Sequence, residues 1–183
     1  MAFKFVQFHG KKSKARRVGQ ACKRHFSIDS FKFLLPILYN KRMEITLARK
    51  EHISGILELQ RQVYRTRDIA PNAQRRFEDL MKEPNCYVLA ATENEKVIAA
   101  GMIYYIHVPV RGRSFALIEG LVVDESTRGQ GVGTAMLSEF VKLARKRDCY
   151  KIIFTSGFDR EDAHALYEKL GFKKWGYEFR MDL

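Results

Sequence analysis

The sequence lacks any uncharged apolar run of the roughly 18 residues that a membrane-spanning helix needs. The longest candidate, residues 31–39, is interrupted by Lys32 and Pro36. Cysteine is also scarce, since the 183 residues include only Cys22, Cys86 and Cys149. Three cysteines at unrelated spacings fit neither a disulfide framework nor a four-ligand zinc site. These absences argue against a membrane span and favour a reducing, cytoplasmic compartment.

Acidic residues are almost missing from one part of the chain. Residues 1–42 contain eleven Lys and Arg and a single acid, Asp29, which leaves this segment with +10 of the net charge of +12. The rest of the chain is nearly neutral, so we predict a basic N-terminal extension over 1–42 and one domain over 43–183. Four interpretations of the extension stay open: a solvated appendage, a phosphate-binding arm for RNA or another polyanion, a cleaved targeting peptide, or a misplaced start codon.

The hydrophobic content of 46% is enough for one domain with a substantial core. Apolar periodicity predicts strands over 44–48, 87–92, 97–108, 115–123 and 150–155, and one or two closing strands within 172–183. It predicts helices over 53–64, 73–82, 131–147 and 161–170. The uninterrupted apolar character of 115–123 indicates a strand buried on both faces. This order is typical of a mixed α/β domain with one β-α-β crossover in its second half.

Three glycines alternate between the strand 115–123 and the helix that follows it, at Gly129, Gly131 and Gly133. Glycine lets the backbone approach a ligand closely, and the first N–H groups of a helix are available to bind an anion. A pyrophosphate suits such a loop, and a glycine-rich helix start without a ligand is the alternative. The spacing fits neither the Rossmann fingerprint nor the Walker phosphate loop.

The pattern Arg128-x-x-Gly131-x-Gly133 resembles the acetyl-coenzyme A pyrophosphate motif of the GNAT N-acetyltransferase superfamily. A second segment, 162–172, is similar to that family's late helix, with its Leu-Tyr-Glu-Lys-Leu-Gly-Phe ending at 166–172. One predicted strand separates the two motifs, as in the family. The resemblance covers residues 43–183. It implies a single α/β domain with a mixed, mostly antiparallel sheet that is splayed at its centre and flanked by helices.

The resemblance also implies a coenzyme site for acetyl-coenzyme A, with no metal. Main-chain N–H groups would hold the pyrophosphate at Arg128, Gly129, Gln130, Gly131, Val132, Gly133 and Thr134. The pantetheine arm would bind along the strand residues Leu121, Val122 and Val123. Arg160 stands where many members have Asn, and it either reaches a coenzyme phosphate or is solvated.

Two residues are predicted to carry the chemistry. Tyr167 matches the family's tyrosine that faces the coenzyme sulfur, and a phenol with a pKa of about 10 can protonate a thiolate leaving group. Packing in the core is its alternative role. Glu119 is the candidate base, because an alkyl ammonium with a pKa of about 10.4 must lose a proton before it attacks. An ion pair is the alternative for Glu119. The main-chain N–H of Val122 or Val123 would stabilise the oxyanion.

The resemblance thus implies an N-acetyltransferase whose acceptor is the primary amine of a small molecule or peptide. Residues in segments that line the acceptor pocket in relatives are Tyr64, Arg67, Trp175 and Tyr177, while His164 is expected to be exposed. A different acyl donor or an aminoacylated RNA acceptor is one alternative. A non-catalytic coenzyme A-binding or RNA- or ribosome-associated module on the same fold is another. A homodimer is left open.

Overall fold

The structure, a computed structural model, describes residues 43–64 and 66–182. The predicted basic extension, 1–42, lies outside them. Five strands form one sheet in chain order: β1 (Met43–Leu47), β2 (Cys86–Glu93), β3 (Lys96–Val108), β4 (Arg113–Val123) and β5 (Ile152–Ile153). Neighbours from β1 to β4 are antiparallel, and β5 is parallel to β4. The predicted mixed, mostly antiparallel sheet is confirmed.

A two-residue turn sets the register of the β2–β3 hairpin. Glu93 pairs with Lys96, so Asn94 and Glu95 form the turn, with φ angles of 48° and 65°. Two-residue hairpins favour turns with positive φ at both central residues, because the turn then matches the right-handed twist of the strands. The hairpin provides the long edge of β3 on which β4 pairs.

Within the described residues four helices flank the sheet: α1 (Ile53–Tyr64), α2 (Ala73–Leu80), α3 (Val132–Lys146) and α4 (Glu161–Lys169). Ala100 and Met102 of β3 belong to one core cluster with Ile56 of α1. Gly101, between them, faces α3, since a Cβ there would lie 3.0 Å from the Phe140 ring. Alternate strand residues point to opposite faces, so α1 and α3 cover opposite faces of the sheet. Ile56 and Phe140 are both 0% exposed, and truncating either to Ala would cost about 2–5 kcal/mol.

The segment after α4 departs from the sequence prediction. Residues 172–182 form neither helix nor strand, so the prediction of closing strands is wrong for these residues. β5 is also limited to two residues, where 150–155 was predicted. A strand needs a neighbour for its main-chain N–H and C=O groups, and apolar alternation alone does not supply one. The other predicted helices and strands are present, with ends shifted by no more than two residues.

Burial along β4 also differs from the sequence interpretation. From Ser114 to Val123 its residues alternate between buried and half-buried, whereas the continuous apolar run had indicated burial on both faces. An apolar run shows that a strand is mainly covered, but it does not show how completely each face is covered. Half of the β4 positions are therefore partly accessible, and Glu119 is one of them.

Candidate active site

The sheet opens between β4 and β5. The two strands pair only through Ala116 with Ile152 and Leu117 with Ile153. β4 then continues through residues 118–123 without a β5 neighbour among the described residues. Main-chain N–H and C=O groups along this edge can bind an extended ligand as they would bind a neighbouring strand. The unpaired stretch contains the residues predicted to bind the pantetheine arm, Leu121, Val122 and Val123.

β4 bulges at Gly120. In its ladder with β3, Ala100 pairs with Val122. The next pair is Met102 with Glu119, so two residues of β4 oppose one residue of β3. Gly120 has a φ of 61°, a conformation that glycine adopts without strain. A bulge bends its strand and redirects the neighbouring side chains, and Glu119 directly precedes this bend.

Three side chains crowd the bulge. A Cβ at Gly120 would lie 2.8 Å from Met102 Cε, 3.1 Å from Gln60 Nε2 and 3.2 Å from the Tyr64 hydroxyl. Gln60 and Tyr64 are four residues apart on α1 and therefore share a helix face. Gln60 is 9% exposed, and its Nε2 has no hydrogen-bond partner within the described ranges. Sequence analysis missed Gln60 as a site residue, and its place in the apolar spacing of α1 was the only signal.

Glu119 is half-buried, and its partner is a phenol. The Tyr64 hydroxyl donates a hydrogen bond to Glu119 Oε1 at 3.0 Å. Burial, followed by the negative charge of Glu119, raises the pKa of Tyr64 above its ordinary value. Burial likewise raises the pKa of Tyr104, which also senses Glu119, to about 12. Both phenols stay neutral at pH 7, so the hydrogen bond that Glu119 accepts among the described residues comes from a neutral donor.

Asp124 fixes the end of β4. Its carboxylate accepts hydrogen bonds from the Ser126 main-chain N at 2.9 Å and from Ser126 Oγ at 2.7 Å, and Lys96 Nζ lies 3.0 Å away. The hydrogen bonds from Ser126, and then that from Lys96, lower the pKa of Asp124 to about 2. A 3-10 turn, Glu125–Thr127, follows and leads into the glycine loop. Sequence analysis missed Asp124, although Asp two residues before Ser is a signal for an Asx-turn.

The glycine loop passes twice through left-handed backbone conformations. Gly129 and Gly131 have φ angles of 76° and 84°, and Gly131 is the N-cap of α3. The N–H groups in the first turn of α3 have no acceptor within the helix, and the helix dipole makes this end positive. Phosphate oxygens bind at such ends. The candidate pyrophosphate-binding residues are consecutive here: Arg128, Gly129, Gln130, Gly131, Val132, Gly133 and Thr134.

Three elements of the site meet at Gly133. A Cβ there would lie 3.7 Å from Val123, at the end of β4, and 3.7 Å from Leu166 of α4. The structure therefore brings together the two segments that carried the sequence motifs, although 28 residues lie between them in the chain. The carboxyl ends of β4 and β5 open on the same side, which is where ligands bind in parallel parts of α/β sheets.

Tyr167 follows Leu166 on α4 and is half-buried. Its ring packs edge-on against Phe154, with 4.7 Å between the ring centroids. Phe154 is the first residue after β5, so Tyr167 lies on the β5 side of the opening. Glu119 lies on the β4 side. The two predicted catalytic residues thus have different neighbours, Phe154 in one case and Tyr64 in the other.

The remaining candidates are less enclosed. Arg160 is the exposed N-cap of α4. His164 is half-buried, with its ring 6.4 Å from that of Tyr167, so the expectation of an exposed histidine is wrong. His164 lies on the same face of α4 as Tyr167, which explains why its side chain is partly buried. Among the other residues proposed for the acceptor pocket, Tyr64 is 51% exposed, with its hydroxyl end at the bulge, and the rest are exposed: Arg67, Trp175 and Tyr177.

Neither described thiol is a strong nucleophile. Cys86 is buried and Cys149 is half-buried, and both are free. Burial raises the pKa of Cys86 to about 11 and that of Cys149 above its ordinary value, which keeps both in the unreactive thiol form at neutral pH.

The part of the chain that the structure describes holds no group of three or more His, Cys, Asp and Glu residues arranged for a metal ion. No helix in residues 43–64 and 66–182 is long and apolar enough to cross a membrane.

Comparison with protein families decides the identity of the domain. The model of the Acetyltransferase (GNAT) family matches residues 53–172, about two thirds of the chain. The chain belongs to the GNAT family. The match runs from α1 through α4 and includes both sequence motifs, so the resemblance carried by those motifs is confirmed. GNAT enzymes use acetyl-coenzyme A, and this GNAT domain is accordingly an N-acetyltransferase.

Individual relatives agree with this assignment. The GNAT chain is 40% identical over 72 residues to a glucosamine 6-phosphate N-acetyltransferase of Trypanosoma brucei brucei, a match that spans 39% of this chain and 47% of that relative. It is 26% identical over 145 residues to a "probable glucosamine 6-phosphate N-acetyltransferase 2" of Oryza sativa subsp. japonica, covering 75% and 83% of the two chains. The solved structure of a Trypanosoma brucei acetyltransferase has the same fold, with a TM-score of 0.68 and 24% identity over 77% of this chain and 99% of that chain.

Proposed function

We propose that this enzyme transfers the acetyl group of acetyl-coenzyme A directly to a primary amine, with Glu119 as the base and Tyr167 as the acid. The observation that carries the proposal is the bulge at Gly120. It bends β4 next to Glu119, at the start of the stretch of β4 that has no β5 neighbour among the described residues. A carboxylate beside an open main-chain edge can accept a proton from an amine that is positioned to attack a bound thioester.

The coenzyme would bind along the opening. The first turn of α3 and the loop before it would bind the pyrophosphate, with the helix dipole favouring its negative charge. The pantetheine arm would then follow Leu121, Val122 and Val123 towards the bulge. A Cβ at Gly133 would lie 3.7 Å from both Val123 and Leu166, and this proximity of the phosphate loop to both walls of the opening supports a single continuous site.

The proposed reaction removes two protons from the acceptor nitrogen. The ammonium form first gives one proton to Glu119, directly or through water, and the neutral nitrogen then attacks the thioester carbonyl carbon. The carbon–sulfur bond breaks, and the thiolate receives a proton from the Tyr167 phenol. The second nitrogen proton, released as the amide forms, returns to that phenol through water, and Glu119 releases its proton to solvent. Tyr64 is not a candidate base, since its raised pKa keeps it protonated. Its hydrogen bond to Glu119 instead orients the carboxylate.

The acceptor to test first is glucosamine 6-phosphate, because two relatives carry its name. Thiol release should be measured with acetyl-coenzyme A and a panel that also includes polyamines, aminoglycosides and peptide N-termini. Turnover with one class of amine supports the proposal. Coenzyme binding without turnover on any amine contradicts it and favours a non-catalytic coenzyme A-binding module.

Two variants test the assigned roles once an acceptor is known. Glu119→Gln keeps the shape of the side chain but removes the base, so single-turnover acetylation should slow by about 100-fold or more. Tyr167→Phe keeps the ring on Phe154 and should slow the same step by roughly 10- to 1,000-fold. Acetyl-coenzyme A affinity and melting temperature should change little in both. A loss of melting temperature that matches the loss of rate would assign Tyr167 to packing instead.

A further inference from the structure

Positive charge is concentrated at one end of the domain. Residues 43–183 carry a net charge of only +2, but the short segments 111–113 and 145–151 contain six Lys and Arg and one acid, Asp148. The two segments therefore have a net charge of +5, and the rest of the domain has a net charge of −3. We name the two segments together the basic end.

The two segments of the basic end contact each other. Arg113 Nε donates a hydrogen bond to the main-chain oxygen of Asp148 at 3.0 Å, and its Nη2 lies 2.7 Å from the Asp148 carboxylate. Both segments lie at the amino ends of β4 and β5, whereas the coenzyme opening lies at the carboxyl ends. A strand rises about 3.3 Å per residue, so β4 separates the basic end from the glycine loop by about 30 Å.

Two cations of the basic end lie on aromatic rings. Arg111 Cζ is over the Tyr150 ring, 4.7 Å from its centroid. Lys151 Nζ is 5.6 Å from the same centroid and 5.2 Å from that of Phe115. A ring face orders a cation but does not neutralise it. Both side chains are exposed, and neither has a carboxylate within 4.0 Å among the described residues, so their N–H groups are available to an external anion.

We propose that the basic end binds single-stranded RNA. The N–H groups of Arg111, Arg113 and Lys151 bind its phosphates, since charged donors make the strongest hydrogen bonds to phosphate oxygens. Arg111 already stacks on Tyr150, and a guanidinium plane also stacks on nucleobases, so an RNA base extends this stack by one member. Only an unpaired base can stack in this way, which favours a single strand over a duplex.

The surroundings of the cations favour RNA over an anionic membrane. Membrane-surface binding combines cations with a broad apolar face that enters the lipid. The turn before Arg111 does expose Val110, at 93%, but Phe115 and Tyr150 are half-buried beside the cations. One exposed valine does not form such a face. Cations together with aromatic rings are instead typical of surfaces that bind single-stranded nucleic acids.

Fluorescence anisotropy tests the proposal, with the full chain titrated into a labelled single-stranded RNA of about 20 nucleotides. Arg111→Glu/Lys151→Glu should raise the Kd by about 10-fold or more. The slope of log affinity against log salt should become shallower by about 1.4, because each phosphate contact on a single strand contributes about 0.7. The matched control is Arg75→Glu/Arg76→Glu on α2, which changes the net charge equally outside the basic end and should raise the Kd much less.

Cross-linking locates the RNA on the chain, whatever residues 1–42 add to the affinity. An RNA that contains 4-thiouridine, activated by ultraviolet light, should attach to peptides from 109–115 and 147–151. Saturating acetyl-coenzyme A should leave the RNA affinity unchanged, because the two sites lie at opposite ends of β4. Acetyl-coenzyme A affinity also shows that each double variant is folded, since neither changes the coenzyme loop or the predicted catalytic residues.

Four results would overturn the proposal. They are a full chain that does not bind RNA, equal losses of affinity in the two double variants, cross-links confined to 1–42 or to the glycine loop, and displacement of the RNA by acetyl-coenzyme A. Vesicles that contain phosphatidylserine provide the remaining comparison. If the wild type binds these vesicles but not RNA, and Arg111→Glu/Lys151→Glu loses that binding, the basic end belongs to a membrane surface instead.

Discussion

Gln60 is an amide buried beside the bulge with an unused donor. Its Nε2 lies 3.1 Å from the position of a Cβ at Gly120 and has no acceptor among the described residues. A buried donor without a partner costs about 1–3 kcal/mol. Unsatisfied buried groups are few in native structures, and strain, a bound water or ion, or a functional role accounts for them. Its place beside the bulge next to Glu119 makes Gln60 a candidate for the acceptor side of the proposed site.

Replacing this amide should stabilise the fold. Gln60→Met has a similar length and removes the unpaired donor, so we expect the melting temperature to rise by about 2–4 °C. Thermal unfolding followed by circular dichroism checks this. Gln60→Glu is the control, because it keeps the length and adds a buried charge, and it should lower the melting temperature. A lower melting temperature in Gln60→Met would mean that the amide already has a partner.

Candidate site residues can be proposed from the sequence where they stand in a local pattern. The glycines of the loop and the tyrosine of the late helix stand in short motifs, and in the structure a Cβ at Gly133 would lie 3.7 Å from Leu166 of that helix. Gln60 could not be assigned to the site in this way. Its place depends on the contact between α1 and the bulge of β4, which are far apart in the chain, and no spacing of residues reports that contact. Asp124 does stand in a local turn signal, but that signal does not show that the turn leads into a binding site.

The stability of the turn after β4 depends on pH through the carboxylate of Asp124. Its pKa is lowered to about 2 by Ser126 and Lys96, so the ionised form is favoured in the folded state. The stabilisation it gives is present above the ordinary pKa of about 4 and is lost as the pH falls towards 2. Asp124→Asn should therefore have a lower melting temperature than the wild type at pH 7. The difference should shrink between pH 4 and pH 2.

Melting temperatures of both proteins across this pH range test the role of Asp124. A constant difference from pH 7 to pH 2 would assign the effect to shape and not to charge. Asp124→Asn should also weaken acetyl-coenzyme A binding, because the turn that it caps leads directly into the glycine loop. Lys96→Met is the matched control, since it removes the ion pair and leaves both hydrogen bonds from Ser126 in place.

The start of α3 offers a test that separates charge from bulk. Gly133 is in the first turn, and a Cβ there meets its neighbours at 3.7 Å, an ordinary contact. Gly133→Asp should keep or raise the melting temperature, because a carboxylate near a helix N-terminus is favourable. The same carboxylate should repel the pyrophosphate and weaken acetyl-coenzyme A binding by about 10-fold or more.

Gly133→Ala is the control for Gly133→Asp, and its affinity for acetyl-coenzyme A should fall much less. Titration calorimetry with acetyl-coenzyme A measures both variants. Equal affinity in the wild type and Gly133→Asp would remove this loop from the coenzyme site. Equal losses in the two variants would mean that close approach of the backbone, and not charge, governs binding.

The helices and long strands could be predicted because the spacing of their apolar residues is visible within each segment. The short strand β5 and the segment after α4 could not, since strand formation there depends on main-chain pairing with a neighbouring strand. Trp175 to Met181 has the alternation of a strand, and yet the described residues offer it no ladder. Alternation states which face a strand would bury, while pairing decides whether the strand forms.

At the scale of the whole molecule, charge is distributed unevenly along the chain. Residues 1–42 carry +10 of the net +12, and both motifs and all described elements follow them. We propose that residues 43–183 fold alone as the catalytic domain. Removal of 1–42 should change acetyl-coenzyme A affinity by less than about threefold, because the glycine loop, the late helix and every predicted coenzyme-binding residue lie within 43–183.

Calorimetry and thermal unfolding of the full and shortened chains check this expectation, and an insoluble or non-binding 43–183 would contradict it. The same two proteins decide between interpretations of the extension. If 1–42 is an arm for a polyanion, the full chain should bind RNA more tightly than 43–183, with an affinity that falls more steeply as salt rises. Equal RNA binding by the full and the shortened chain would exclude a polyanion-binding role for residues 1–42.

Trp175 is the chain's single tryptophan and is 94% exposed. Its ultraviolet emission therefore comes from an indole in water, and it would change little when the domain unfolds. Intrinsic fluorescence is for this reason a poor measure of stability in this protein. The same property makes it a selective optical reporter: a shift of the emission towards the blue would report that something has covered the end of the chain, while the rest of the molecule contributes no tryptophan signal.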